Sequence, residues 1–209
     1  MEKTNFVSRE QELAQLDAYL NQVMAGGGKV CFVKGQAGSG KTALVTEFAS
    51  RAQKQHQELA VAFGQSDAQT GLGDPHLPFR EILRQLTGDV EDGVTRGRIT
   101  NENANRLRNI LVLSGQALVE VGPDLIGLFV PGVGLATRLG AFAAEKVGWL
   151  DKLERLVRKS SQDTSPGDLG IKQSHIYEQY ANVLQKLSGG QPLILILDDL
   201  QWADVSSIG

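Results

Sequence analysis

Gly35-Gln36-Ala37-Gly38-Ser39-Gly40-Lys41-Thr42 reads G-x-x-x-x-G-K-T. A short apolar run, Val30-Cys31-Phe32-Val33, precedes it, and a helical pattern opens near Ala43. A strand, a glycine-rich turn and a helix start, in that order, form a cradle for phosphate oxygens. Glycine permits φ > 0 and lets the backbone approach an anion without a clashing Cβ. Gly35, Gly38 and Gly40 therefore predict a nest of N–H donors spanning Gln36, Ala37 and Ser39, at the positive end of a helix dipole. Lys41 adds a full charge, expected against the β- and γ-phosphates. Thr42 offers a hydroxyl to Mg²⁺, a hard cation that takes oxygen ligands. The neighbouring Gly26-Gly27-Gly28 reads instead as a flexible link between the first helix and the first strand.

A second stretch completes the pattern. Leu193-Ile194-Leu195-Ile196-Leu197-Asp198-Asp199 is apolar without alternation and ends in two carboxylates. Such a run predicts a parallel strand covered on both faces, with Pro192 tolerated at its start. In open α/β sheets ligands sit beyond the carboxyl ends of the strands. Asp198 is therefore expected to hold Mg²⁺, through water. Asp199 is expected to orient or deprotonate an attacking water. Taken alone, the Asp-Asp pair reads equally well as the opening of a loop. Asp204 reads as an N-cap for a following helix, and Trp202 as packing under the strand end.

The remaining text bounds the fold. A chain of 209 residues suits one domain, with room for an appended lobe. With 21 basic against 24 acidic residues, the formal charge of −3 gives no overall nucleic-acid footprint. Arg96, Arg98, Arg106 and Arg108 lie close together, a local basic patch or a solvated helical face, the latter being preferred. The single cysteine, Cys31, excludes an internal disulfide and is expected to be buried in the first strand. No secretory signal opens the chain, which suits a cytoplasmic location. Leu125 to Leu150 is apolar enough to suggest a membrane span, but Arg138, Glu145 and Lys146 interrupt it. A buried, glycine-broken helical segment is the expectation, with no membrane contact.

Ser8-Arg9-Glu10-Gln11 has the form of a capping box. A helix follows with Leu13, Leu16, Leu20, Val23 and Met24 on one stripe. Leu44, Val45, Phe48 and Ala52 mark the face of the helix after the glycine-rich loop. Leu59 to Phe63 reads as a second strand. Gln65 to Pro78, punctuated by Gly71, Gly73 and Pro75, reads as a loop. His76 within it is expected at the surface rather than as a metal ligand. Phe79 to Leu86 looks helical. From about Asn101 to Leu187 the text is mostly helical, broken at Gly122-Pro123, Pro131-Gly132 and Ser160 to Gly167. Its last helix carries Ile176, Tyr180, Val183, Leu184 and Leu187 on one face and ends at Gly189-Gly190.

Phe6-Val7-Ser8-Arg9-Glu10, the G-x-x-x-x-G-K-T loop and Leu197-Asp198-Asp199-Leu200-Gln201-Trp202-Ala203-Asp204 together resemble the AAA-type ATPase domain of STAND signalling proteins. That group includes large LuxR-type transcription regulators and ATPase-linked cyclases and kinases. Pro78-Phe79-Arg80-Glu81 also looks like the family. Ser8 stands where relatives carry glycine. The resemblance implies a P-loop NTPase of three-layer α/β/α build, with a largely parallel sheet and a long helical insert. Residues 1–28 would form an N-terminal helix and linker, and 29–209 the core, with the insert at about 101–187. It implies ATP or ADP with Mg²⁺ as ligands. Val7 and Arg9 would be adenine contacts, although the capping box alone also accounts for that segment. The expected cofactor-binding set is thus Gly35 to Thr42 with Val7 and Arg9. Thr42 and Asp198 are the metal ligands, and Lys41 and Asp199 the catalytic pair. Relatives continue with a sensor strand, a lid and a winged-helix segment. The chain thus reads as the N-terminal part of a longer protein, truncated after the Walker B strand, with weak or no turnover of its own.

The leading expectation is an ATP-binding and ATP-hydrolysing switch module of a signalling or transcription regulator, with nucleotide-dependent self-association. A non-catalytic nucleotide-binding scaffold and a small-molecule kinase are the alternatives. Unchanged signalling by Asp199→Ala would favour the scaffold. Phosphate found on a co-substrate would favour the kinase.

Overall fold

The computed structural model describes residues 9–66, 76–140, 148–162 and 173–199. Val7, Ser8, Gly71, Gly73, Pro75, the 163–167 part of the polar break, Trp202 and Asp204 lie outside them. The chain forms two compact units, Met1–Leu59 and Ala60–Gly209.

The first unit contains α1 (Glu10–Met24) and α2 (Lys41–Gln55), which pack on each other. Leu13 and Leu20 are buried on α1, and Leu44, Phe48, Ala49 and Ala52 on α2. These positions follow the three-to-four-residue spacing that puts one face of each helix inward. Arg9 occupies the N-cap of α1 and makes no side-chain cap bond. Arg51 ties the two helices at their surface, donating to Glu47 at 2.7 Å and to Glu10 at 3.3 Å. The expected first strand does not form. Val30 and Phe32 are 81% and 75% exposed, and Val30-Cys31-Phe32-Val33 has no ladder partner among the described residues. Without a partner an extended segment leaves its N–H and C=O groups to water, so apolar content alone does not make it a strand. Cys31, expected to be buried, is accordingly exposed.

The second unit is built on a two-stranded parallel sheet, β1 (Ala60–Gln65) and β2 (Leu193–Asp198). The register runs from Ala60 opposite Leu193 to Gln65 opposite Asp198. β1 is almost wholly buried, whereas only Ile196 of β2 is, so β2 is less covered than its apolar run suggested. In a parallel ladder alternate residues turn their peptide groups to opposite edges. On the edge of β1 away from β2, side chains replace a neighbouring strand. Asn103 accepts from the Val61 N–H at 3.1 Å and donates to its carbonyl at 2.8 Å. Gln85 brackets Phe63 in the same way, at 3.0 and 2.6 Å. Glu81 accepts from the Gln65 N–H at 2.9 Å. Three polar side chains thus satisfy a sheet edge that is buried at Val61 and partly covered at Phe63, where an unpaired backbone would be costly.

Glu81 and Gln85 belong to α3 (Leu77–Leu86), and Asn103 to α5 (Asn101–Asn109), beyond the short α4 (Glu91–Thr95). Thr100 caps α5 by accepting from the Asn103 N–H at 3.2 Å. Gly64 lets α3 lie against β1, because a Cβ there would sit 2.1 Å from the Pro78 carbonyl oxygen. His76, expected at the surface, is partly covered, with its ring 5.4 Å from that of Phe129. Helices α6 (Leu111–Val121), α7 (Leu125–Leu128), α8 (Gly132–Gly140), α9 (Gly148–Gln162) and α10 (Gln173–Ser188) complete the described helices. Ile176, Tyr180, Val183 and Leu187 of α10 are buried, the face read from the sequence. Burial pushes the Tyr180 hydroxyl well above its ordinary value, and it donates to the Phe79 carbonyl at 3.2 Å. No described helix is long and apolar enough to cross a membrane. Arg96 pairs with Asp92 at 2.9 Å and Arg108 with Glu91 at 3.1 Å, as a solvated face requires.

Candidate functional site

The loop from Gly35 to Gly40 turns on two glycines in the left-handed region, Gly38 at φ 74° and Gly40 at φ 80°. A Cβ at either would meet no atom within 4 Å. The demand for glycine there is conformational rather than steric. The Ser39 N–H donates to the Gln36 carbonyl at 3.2 Å, closing the turn. Gly40 is the N-cap of α2, and its carbonyl accepts the Leu44 N–H at 2.9 Å as the helix begins. It lacks a side chain to cap the helix, and the first turn holds no acidic residue. The partial positive charge of the helix start is therefore left for an external anion. Lys41 curls over the loop and donates to the carbonyls of Gly35 and Gln36, each at 3.1 Å. Arg9 reaches the same loop, donating from Nη2 to the Ser39 carbonyl.

The carboxylate corner is made differently. β2 delivers Asp198 as its last residue, and the Ser66 N–H donates to the Asp198 carbonyl at 3.2 Å. Asp199 then takes φ 56°, a left-handed conformation that aspartate adopts more readily than most residues. Its N–H donates to Asp198 Oδ1 at 2.9 Å. Its own carboxylate accepts from Gln65 Nε2 at 3.0 Å. Gln65 is in turn pinned by Glu81 through its backbone N–H. From the sequence Gln65 reads only as the start of a loop and Glu81 only as part of the family-like Pro78-Phe79-Arg80-Glu81 string, and neither points to the corner. The signal was present only as the pairing of two strands, which sets Gln65 beside Asp198.

The loop residues Gly35 to Thr42 and Arg9 lie in the first unit, and Asp198 and Asp199 in the second. Val7 lies outside the described residues. The loop suits a polyphosphate: its residues are exposed apart from the half-buried Ser39, its helix start is uncapped and a lysine ammonium stands over it. The donor set also suits Mg²⁺. Among the described residues no group of three or more His, Cys, Asp or Glu forms a metal cage. Mg²⁺ ordinarily needs only one or two protein oxygens, taking the rest from phosphate and water.

A glycine-rich loop opening a helix and a strand ending in paired aspartates together define a P-loop nucleotide-binding protein. The chain belongs more particularly to the AAA ATPase domain family, whose model matches residues 5–208. No curated protein and no solved structure gave a significant match.

Proposed function

We propose that the protein binds ATP with Mg²⁺ and hydrolyses it, serving as a cytoplasmic switch module of a signalling or transcription regulator that self-associates in a nucleotide-dependent way. The phosphate loop carries this reading: two left-handed glycines, an uncapped helix start and Lys41 held over the loop. The backbone from Gly35 to Gly40 receives the phosphates, and Lys41 exchanges its two carbonyl contacts for phosphate oxygens. Thr42 and Asp198 would hold Mg²⁺, Asp198 through water, and the ion would supply neutralisation of phosphate charge. Asp199, oriented by Gln65, accepts a proton from water as the water oxygen bonds to the γ-phosphorus and the bridging oxygen leaves with ADP. The same reading takes the parallel pair of strands as the described part of a three-layer α/β/α core.

The test is calorimetry with MgATP together with phosphate release. Wild type is expected to bind. Lys41→Ala loses a charge-assisted contact, so affinity falls about 10- to 100-fold. Asp199→Asn is expected to retain binding and to lose the slow phosphate release expected of wild type, read under single-turnover conditions. Binding by Lys41→Ala equal to wild type would refute the phosphate role. Turnover retained in Asp199→Asn would refute the base.

A further inference from the structure

Arg9 and Ser39 are thirty residues apart in sequence, yet the Arg9 guanidinium donates to the Ser39 carbonyl inside the phosphate loop. The arginine is itself held. Its carbonyl accepts the Leu13 N–H at 3.0 Å in the first turn of α1, and Leu13 is buried. Its Nη1 lies 3.6 Å from Glu12 Oε1 on the same turn. Only 30% of its side chain is exposed. The peptide it grips joins Ser39 to Gly40, and the residues at φ 74° and φ 80° on either side of Ser39 are both glycines. That peptide turns about ψ of Ser39 and φ of Gly40, and glycine at the second hinge takes either sign of φ without a Cβ clash, so a reversed peptide is sterically open to it. The planar trans peptide sends its C=O and N–H in opposite directions. With the Ser39 carbonyl turned to Arg9, the Gly40 N–H is turned the other way, and no backbone carbonyl among the described residues accepts it. In the reverse orientation a carbonyl oxygen would face the bound anion.

Resting on the phosphate-loop reading above, we infer that Arg9 is a positioning residue for the polyphosphate. It fixes the Ser39–Gly40 peptide so that the Gly40 N–H faces phosphate, and it acts through the loop rather than by contact with the adenine. An arginine that reads the base and one that sets the loop are separated by a ligand without a base. Calorimetry on the whole chain with MgATP and with magnesium tripolyphosphate compares wild type, Arg9→Gln, Arg9→Lys and Lys41→Ala. Arg9→Gln is expected to weaken both ligands by the same factor, about tenfold for one charge-assisted bond, with an unchanged melting temperature. Arg9→Lys keeps a cationic donor for the carbonyl and is expected to recover at least half of the loss for both ligands in step. Loss confined to MgATP overturns the inference in favour of a base contact. Unchanged affinity for both ligands in Arg9→Gln, or in Arg9→Met if Arg9→Gln does not fold, overturns it as well. Failure of the phosphate-loop reading looks different: Lys41→Ala would then bind tripolyphosphate as tightly as wild type.

Discussion

The phosphate loop and the carboxylate corner carry complementary charges but are held by opposite means. The loop is contiguous and exposed, and its shape comes from two glycines at positive φ. Arg9 supports it from far along the sequence. The corner is a single strand end, and almost nothing about it is local. Asp199 is held by Gln65, Gln65 by Glu81, and Glu81 rides on a helix that Gly64 allows against β1. A change in the loop should therefore appear in affinity and spare the fold. A change in the buttress of the corner should appear in stability first.

The largest effect expected is that of Gly64→Ala. The new Cβ would lie 2.1, 2.7 and 2.9 Å from backbone atoms of Pro78, which cannot swing aside as a flexible side chain does. Helix α3 must move, taking Gln85 and Glu81 off the β1 edge. Overpacking of this kind together with lost edge hydrogen bonds costs about 3 kcal/mol. Chemical denaturation measures it. A wild-type midpoint would mean that α3 is not the buttress, and the contrast between the two regions would fail.

Gly40→Ala should cost less and show up elsewhere. Its Cβ meets no atom, so the penalty is the left-handed conformation alone, about 1–2 kcal/mol. An exposed loop can relax to avoid it. The denaturation midpoint is then nearly unchanged, while MgATP affinity falls about tenfold, the binding equivalent of that penalty. A variant that instead unfolds early with affinity intact would reverse the assignment.

The same contrast explains what the sequence could disclose. The glycine-lysine loop was legible because its determinants sit in eight adjacent residues and each acts on its own backbone. The α10 face was legible because helical periodicity is local too. Val30 to Val33 reads as a strand and does not form one, because a strand is a relation between segments and an apolar run does not specify its partner. Cys31 is exposed for the same reason. Gln65 reads from the sequence as the start of a loop. Its hydrogen bond to Asp199 joins residues 134 apart and exists only through the register of β1 on β2. Asn103 and Gln85 were invisible for the same reason, since polar side chains serving as a substitute strand leave no periodic trace.

Gln65→Leu carries the smallest functional effect and tests whether the corner's buttress also serves chemistry. The bond it removes is to an exposed carboxylate, so the fold should lose under about 1 kcal/mol. Glu81 contacts the Gln65 backbone rather than its side chain, so the strand end keeps its place in the variant. What changes is the Asp199 carboxylate, which no longer has the amide to fix its direction. Loss of one such orienting bond corresponds to about a 2- to 10-fold fall in kcat, with MgATP affinity unchanged. Single-turnover phosphate release separates the two quantities. If kcat is retained, Gln65 only closes the strand end. If affinity falls with it, the corner takes part in binding as well, and the division of labour between the two regions is less sharp than their construction implies.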